Sequence, residues 1–142
     1  MNYALTYDQW IAALCLWREA RGSSVQAMVG IYNVIINRTK DPHNRWPKTI
    51  PGVILQHAQF SSFSFSDPNV VKFPLPPVSD TAISSADWSV WINCVMAVTA
   101  PLGADPTGGA TNYESEPLDK LPDWADKNKL TTTIGPFRFY KL

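Results

Sequence analysis

Glu19 is the residue of this chain whose type and setting best suit chemistry. It stands in the stretch 17–38, WREARGSSVQAMVGIYNVIINR, which reads as the end of one helix, a tight turn and a second helix. A carboxyl group can give a proton to a leaving oxygen and then take one back, the work of a general acid–base. Such work needs a rigid mount. Gly22 can take the left-handed conformation that stops a helix. Ser23, with Gln26 three residues on, has the pattern of a capping box for the next helix. Glu19 is then expected at a fixed corner between two packed helices. The ordinary alternative is a solvated Glu in a weak ion pair, with Arg18 and Arg21 as flanking partners.

A proton donor near neutral pH must also hold its proton. A free Glu titrates at about 4.3, so burial has to raise Glu19, and nearby arginines act the other way. Arg21 is therefore expected to turn away, toward backbone carbonyls or a loop. Acid–base sites often pair the acid with a second carboxylate in a different environment. The other acids considered, Asp105, Glu114, Glu116, Asp123 and Asp126, fall in predicted loops and show no diagnostic spacing. Two Cys and two His, scattered along the chain, do not make a zinc site, and no cofactor is expected.

The elements that position Glu19 follow from periodicity. Thr6 with Gln9 forms a second possible capping box, opening a helix over 7–21. Trp10, Leu14 and Trp17, with Ile11 and Cys15, give it a core stripe. A second helix is predicted over 24–39, ending before Pro42. Val25, Met28, Val29, Tyr32, Ile35 and Ile36 give it a wide apolar face, so it should be the buried central helix. Asn33 and Asn37 lie on one side of it and need partners, either a neighbouring loop or a sugar.

Residues 41–51 read as a loop, and 53–56 as one short helical turn. The segment 59–67, QFSSFSFSD, mixes aromatic rings with hydroxyl and amide groups. It can lay a sugar on an aromatic face, or form a β-ribbon with Phe60, Phe63 and Phe65 packed inward. Residues 68–77 contain four Pro and read as a surface connection. A third long helix is predicted over 79–99, with Ile83, Trp88, Trp91, Ile92, Val95 and Met96 on its apolar face. Asp105-Pro106-Thr107-Gly108-Gly109 is a strong turn signal. Residues 110–113 read as a short extended segment at a cleft edge, and 130–140 as strand with a turn at Gly135-Pro136.

At 142 residues, with 45% hydrophobic and 17% charged, the chain can bury a core of its own and is read as one globular domain, 1–142. Three substantial helices with short, late β segments indicate a mainly helical α+β fold. A formal net charge of zero argues against nucleic acid as partner. No run of 18 apolar residues suggests membrane insertion. The N-terminal segment lacks the basic region of a signal peptide, so a product made in the cytoplasm is expected. Cys15 and Cys94 fall on apolar helix faces and are expected as buried free thiols.

Glu19-Ala20-Arg21-Gly22, an apolar helix and then Asn37-Arg38 resemble the SleB-like cell wall hydrolase family, typified by spore-cortex lytic enzymes. Pro47, Thr49, Ile50, Gly52 and Val53, then Gln59-Phe60-Ser61, look like the family's second block. Asp105-Pro106-Thr107-Gly108, Asn112-Tyr113, Trp124, Ile134-Gly135 and Phe139-Tyr140 look like its last blocks. The chain departs from the pattern at Ser23, where the family usually has Glu, and at Phe137, where it commonly has His. The resemblance implies a lysozyme-like or lytic-transglycosylase-like architecture with Glu19 as catalytic residue. It implies bacterial peptidoglycan glycan strands as partner, and Arg21, Asn37, Gln59, Phe60, Ser61, Asn112, Tyr113 and Trp124 as substrate-binding residues.

The implied reaction is cleavage of the MurNAc–GlcNAc β-1,4 bond by one carboxyl group, with closure of a 1,6-anhydro ring. The alternatives are muramidase hydrolysis with a second carboxylate, N-acetylmuramoyl-L-alanine amidase activity, and a non-enzymatic glycan-binding or virion protein. An unexported wall hydrolase of this length resembles a phage or prophage endolysin, a monomer held in the cytoplasm until it is released to the wall.

Overall fold

The computed structural model of the chain describes residues 4–56, 85–115 and 121–142, with the backbone alone for 85–87. Helix α1 (Tyr7–Ala20) opens on the expected capping box. The Thr6 hydroxyl accepts from the Gln9 amide at 3.1 Å, and the Gln9 side chain accepts from the Thr6 amide at 3.0 Å. Together these satisfy two backbone donors that the helix start leaves open. Ile11, Leu14, Cys15 and Trp17 are buried along α1, as the stripe predicted.

The corner after α1 differs from the sequence expectation. Among the described residues φ is positive at Asn44, Gly108, Gly109 and Gly135, and Gly22 keeps an ordinary backbone. The turn closes instead through the Ser23 amide, which donates to the Ala20 carbonyl at 2.9 Å. Ser24, not Ser23, caps α2 (Val25–Thr39), its hydroxyl accepting from the Ala27 amide at 3.2 Å. The slip of one residue puts Ala27 where the capping box needs a Gln, so Gln26 has no return bond to make.

Helix α2 is central. It packs against α1, α3 (Ile50–Leu55), α4 (Ser85–Thr99) and the sheet. Met28, Ile31, Val34 and Ile35 are fully buried, each stabilising the fold by about 1.5–3 kcal/mol relative to exposure. Thr49 caps α3, accepting from the Gly52 amide at 3.1 Å. In α4 Trp91, Cys94, Val95 and Val98 are buried in the i, i+3, i+4, i+7 pattern of one helix face, with Ala97 buried beside them. Met96, predicted on that face, is 51% exposed, because 3.6-residue periodicity carries it toward the opposite side of the helix. The predicted start of this helix, 79–84, lies outside the described residues. Cys15 and Cys94 are both free and buried, and Cys94 Sγ lies 3.9 Å from Met28 Sδ. Among the described residues, no helix is long and apolar enough to cross a membrane.

The sheet is antiparallel with order β1-β3-β2, formed by β1 (Asn112–Ser115), β2 (Leu130–Ile134) and β3 (Phe137–Tyr140). Gly135, at φ 57°, and Pro136 join β2 to β3 in a two-residue turn, where Gly is suited to the first position. The sheet lies on α2 at Gly30. A Cβ there would stand 2.8 Å from Phe139 Cζ and 3.3 Å from Ile134 Cδ1, so only glycine admits this approach.

Candidate active site

Glu19 sits in the last turn of α1 and is half-buried. The Tyr113 phenol, from β1, is held well above its usual range, first by burial and then by the negative charge of Glu19. The Cys15 thiol is raised well above its usual value by the same two causes in the same order. Coulombic influence falls off with distance, so Glu19, Cys15 and Tyr113 form one neighbourhood. Arg38 belongs to it as well, since its charge acts on both Tyr113 and Cys15. Burial lowers the Arg38 guanidinium to about 10. The Tyr113 ring is held edge-on to Phe137 at 5.7 Å and tilted against Phe139 at 6.1 Å between centroids.

The placement of Tyr113 depends on a clamp at the C-terminal end of α2. Arg38 Nε donates to the Thr111 carbonyl at 2.6 Å, and its guanidinium lies 5.1 Å from the Trp46 ring, which Arg45 covers at 4.6 Å. Asn37 Nδ2 donates to Asp105 Oδ2 at 2.8 Å and to the Ala110 carbonyl at 2.9 Å. Asp105 Oδ1 accepts from the Thr107 amide at 2.8 Å and hydroxyl at 2.7 Å, and Oδ2 accepts from the Gly109 amide at 2.9 Å. Burial pushes the Asp105 carboxyl up, but these bonds from Thr107, Asn37 and Gly109 bring it below its usual range. The loop that leads into β1 is thereby tied to α2, and β1 carries Tyr113 toward Glu19.

The other face of β1 is chemically separate. Successive strand residues point to opposite sides, so Asn112 and Glu114 face away from Tyr113. Glu114 is 6% exposed and is gripped by Arg138, through Nε and through Nη2 at 2.8 Å. It also accepts from the Tyr140 hydroxyl at 3.0 Å. The Arg138 guanidinium, followed by the Tyr140 hydroxyl, holds this carboxyl below its usual range against the cost of burial.

Of the residues proposed for substrate, Tyr113 comes to Glu19. Asn112 lies on the Glu114 side, with its Oδ1 buried and unpartnered. Trp124 packs edge-on against Tyr140 at 5.5 Å on that side too. Asn37 is engaged by the loop clamp. Arg21 stacks over the Trp17 ring at 5.3 Å, a contact the expectation of a turn away from Glu19 toward carbonyls or a loop did not include. Gln59, Phe60 and Ser61 lie outside the described residues. Sequence reasoning missed Arg138 as the partner of Glu114 and Asp105 as the hub of a loop. Only the turn signal at Asp105-Pro106-Thr107-Gly108 pointed that way. Among the described residues no group of three His, Cys, Asp or Glu side chains could hold a metal ion.

Two solved proteins share this fold. One is the catalytic domain of the Bacillus cereus SleB protein, with a TM-score of 0.65 and 22% identity, covering 99% of this chain and 94% of that one. The other is the catalytic domain of the germination-specific lytic transglycosylase SleB from Bacillus anthracis. It has a TM-score of 0.64 and 22% identity, covering 99% of this chain and 100% of that one. The fold is therefore the mainly helical, lysozyme-like α+β fold that the sequence led us to expect. Residues 22–140 match the family described as Cell Wall Hydrolase, and the chain belongs to that family. Comparison with curated proteins gave no match. The family match begins just after Glu19 and leaves that residue outside it.

Proposed function

We propose that this cell wall hydrolase acts on peptidoglycan as a lytic transglycosylase, cleaving the β-1,4 bond between N-acetylmuramic acid and N-acetylglucosamine with Glu19 as acid and then base. The observation that carries this reading is the state of two other carboxylates among the described residues, Asp105 and Glu114. Asp105 takes four hydrogen bonds within its own loop and from α2. Glu114 is bound by Arg138 and Tyr140 on the strand face opposite Tyr113. Neither is free to hold a water molecule for attack on the sugar. The likeness in fold to a protein named as a lytic transglycosylase supports the same reading.

In the proposed reaction Glu19 gives its proton to the glycosidic oxygen as the bond from the muramoyl C1 breaks. The N-acetyl group helps to stabilise the cation that forms. The carboxylate of Glu19 then takes the proton of the sugar's own 6-hydroxyl while that oxygen bonds to C1. An attached nucleophile reacts at an effective concentration on the order of 10⁵ M or more when well oriented, so it outcompetes water. Tyr113 is suited to assist because its phenol keeps its proton, and a neutral phenol can donate to the carboxylate or to the sugar.

Mass spectrometry of a peptidoglycan digest tests the reading. Muropeptides ending in 1,6-anhydro-N-acetylmuramic acid, one water lighter than hydrolysis products, are expected. Reducing ends that borohydride converts would establish muramidase hydrolysis, and Glu116, outside the described residues, would become the second carboxylate to test. Release of intact stem peptides from uncut glycan would establish an amidase.

A further inference from the structure

A cavity of about 260 Å³ opens at the C-terminal end of α2, and Lys40, His43, Arg45 and Lys141 bring positive or protonatable groups to it. Asp41, the acidic side chain of its lining, is already engaged. Arg45 holds it in a two-pronged pair, Nη2 to Oδ1 at 2.9 Å and Nε to Oδ2 at 3.0 Å, and also donates to the Leu142 main-chain oxygen at 2.9 Å. Lys40, His43 and Lys141 are exposed, and none of their side chains donates to a group among the described residues. With Arg45 paired to Asp41, Lys40 and Lys141 are the cations of the lining left over.

Lys40 has an ordinary explanation, since the C-terminus of a helix favours a cation. Lys141 does not share it. It follows β3 and is carried across the loop at Gly109. Gly109 has φ +85°, and a Cβ there would lie 3.4 Å from both Cε and Nζ of Lys141. The positive φ calls for glycine there, and the lysine stem passes in contact with it on its way to the cavity.

We propose that this cavity binds a carboxylate of the peptide stems carried by the wall polymer while Glu19 cuts the glycan strand. The inference rests on peptidoglycan being the substrate. Asn37 and Thr111 line the cavity and also belong to the clamp that sets Tyr113, so the cavity and the cleavage site share one support. Two flexible ammonium groups suit a carboxylate on a mobile peptide. Planar two-pronged recognition would call for an arginine fork, and that of Arg45 is taken.

The test is a Lys40→Met, Lys141→Met double variant, assayed on intact peptidoglycan and on glycan stripped of its stems. Both side chains are exposed, so the thermal midpoint should not move. The variant is expected to lose about fivefold in KM on the intact polymer, in line with two solvent-screened charge pairs, and to match wild type on the stripped glycan. In parallel, a soluble stem tetrapeptide titrated into wild type should shift the amide resonances of residues 40–43 and 141, and should not do so in the variant. Equal behaviour of variant and wild type on both substrates, or equal loss on both, would overturn the proposal. So would perturbation of the cavity by glycerol phosphate and not by the peptide, which would make it a phosphate site. If wild type cleaves no glycan in either form while the peptide still titrates into the cavity, the reading of the reaction fails and the peptide site stands.

Discussion

The two faces of β1 carry carboxylate chemistry of opposite kinds. On one face Glu114 is almost completely buried and satisfied by Arg138 and Tyr140, which hold its charge in place. On the other, Tyr113 points toward Glu19, whose carboxylate is only half-buried at the end of a helix. A buried carboxylate with matched donors is kept ionised and structural. The carboxyl group of Glu19, beside a phenol and a thiol that burial holds protonated, is the one to which we assign the proposed proton transfers. The strand separates the two by nothing more than its alternation.

The largest expected effect is at Glu19. Glu19→Gln removes the acid and keeps the shape, so lysis of purified peptidoglycan should fall at least about 10³-fold, within the range for a lost general acid–base, with thermal stability unchanged. Turbidity clearance within a few-fold of wild type would sink the assignment. Glu114→Gln should show the reverse pattern. Weakening the Arg138 pair should cost about 1.5–3 kcal/mol of stability, the scale of hydrogen bonds to a charged group, while activity per folded molecule is retained. The pH dependence follows in sign. Because the folded Glu114 titrates below its ordinary value of 4.5, its contribution is fully present above that value and is lost as pH falls through the folded one. The variant should therefore have a flatter acid-unfolding curve below about pH 4.5.

Tyr113→Phe should lower kcat about tenfold, the scale of one lost hydrogen bond to a charged group, with a small change in melting temperature. Loss of stability and activity together would make Tyr113 a packing residue. Gly30→Ala should cost about 1–2 kcal/mol by crowding Phe139, less what alanine returns in helix propensity. The smallest effect is expected from chelation. The proton transfers proposed for Glu19 need no Lewis acid, so EDTA should leave activity intact, and loss with rescue by zinc would favour the amidase reading.

Local signals were legible in the sequence, and distant partnerships were not. The Thr6–Gln9 capping box and the α1 stripe depend on residues three and four apart, and both appear as expected. The cap of α2 slipped because Ser23 and Ser24 offer the same hydroxyl, and only the turn geometry chooses between them. Arg21 over Trp17 is an i, i+4 pair on one helix face and could have been read from spacing. Asn37 finds Asp105 across 68 residues, and Glu114 finds Arg138 across a strand pairing set by a distant hairpin. No window of sequence contains either pair. The family resemblance marked Asn37 and Arg38 as important, but the structure places their side chains on the loop that steadies β1.

The account turns on whether water enters the product, and digestion in water enriched in oxygen-18 measures that directly. Attack by the tethered 6-hydroxyl predicts muropeptides with anhydro ends and no heavy oxygen incorporated. Reducing-end muropeptides carrying one oxygen-18 at C1 would contradict it, because an activated water molecule would then be the nucleophile.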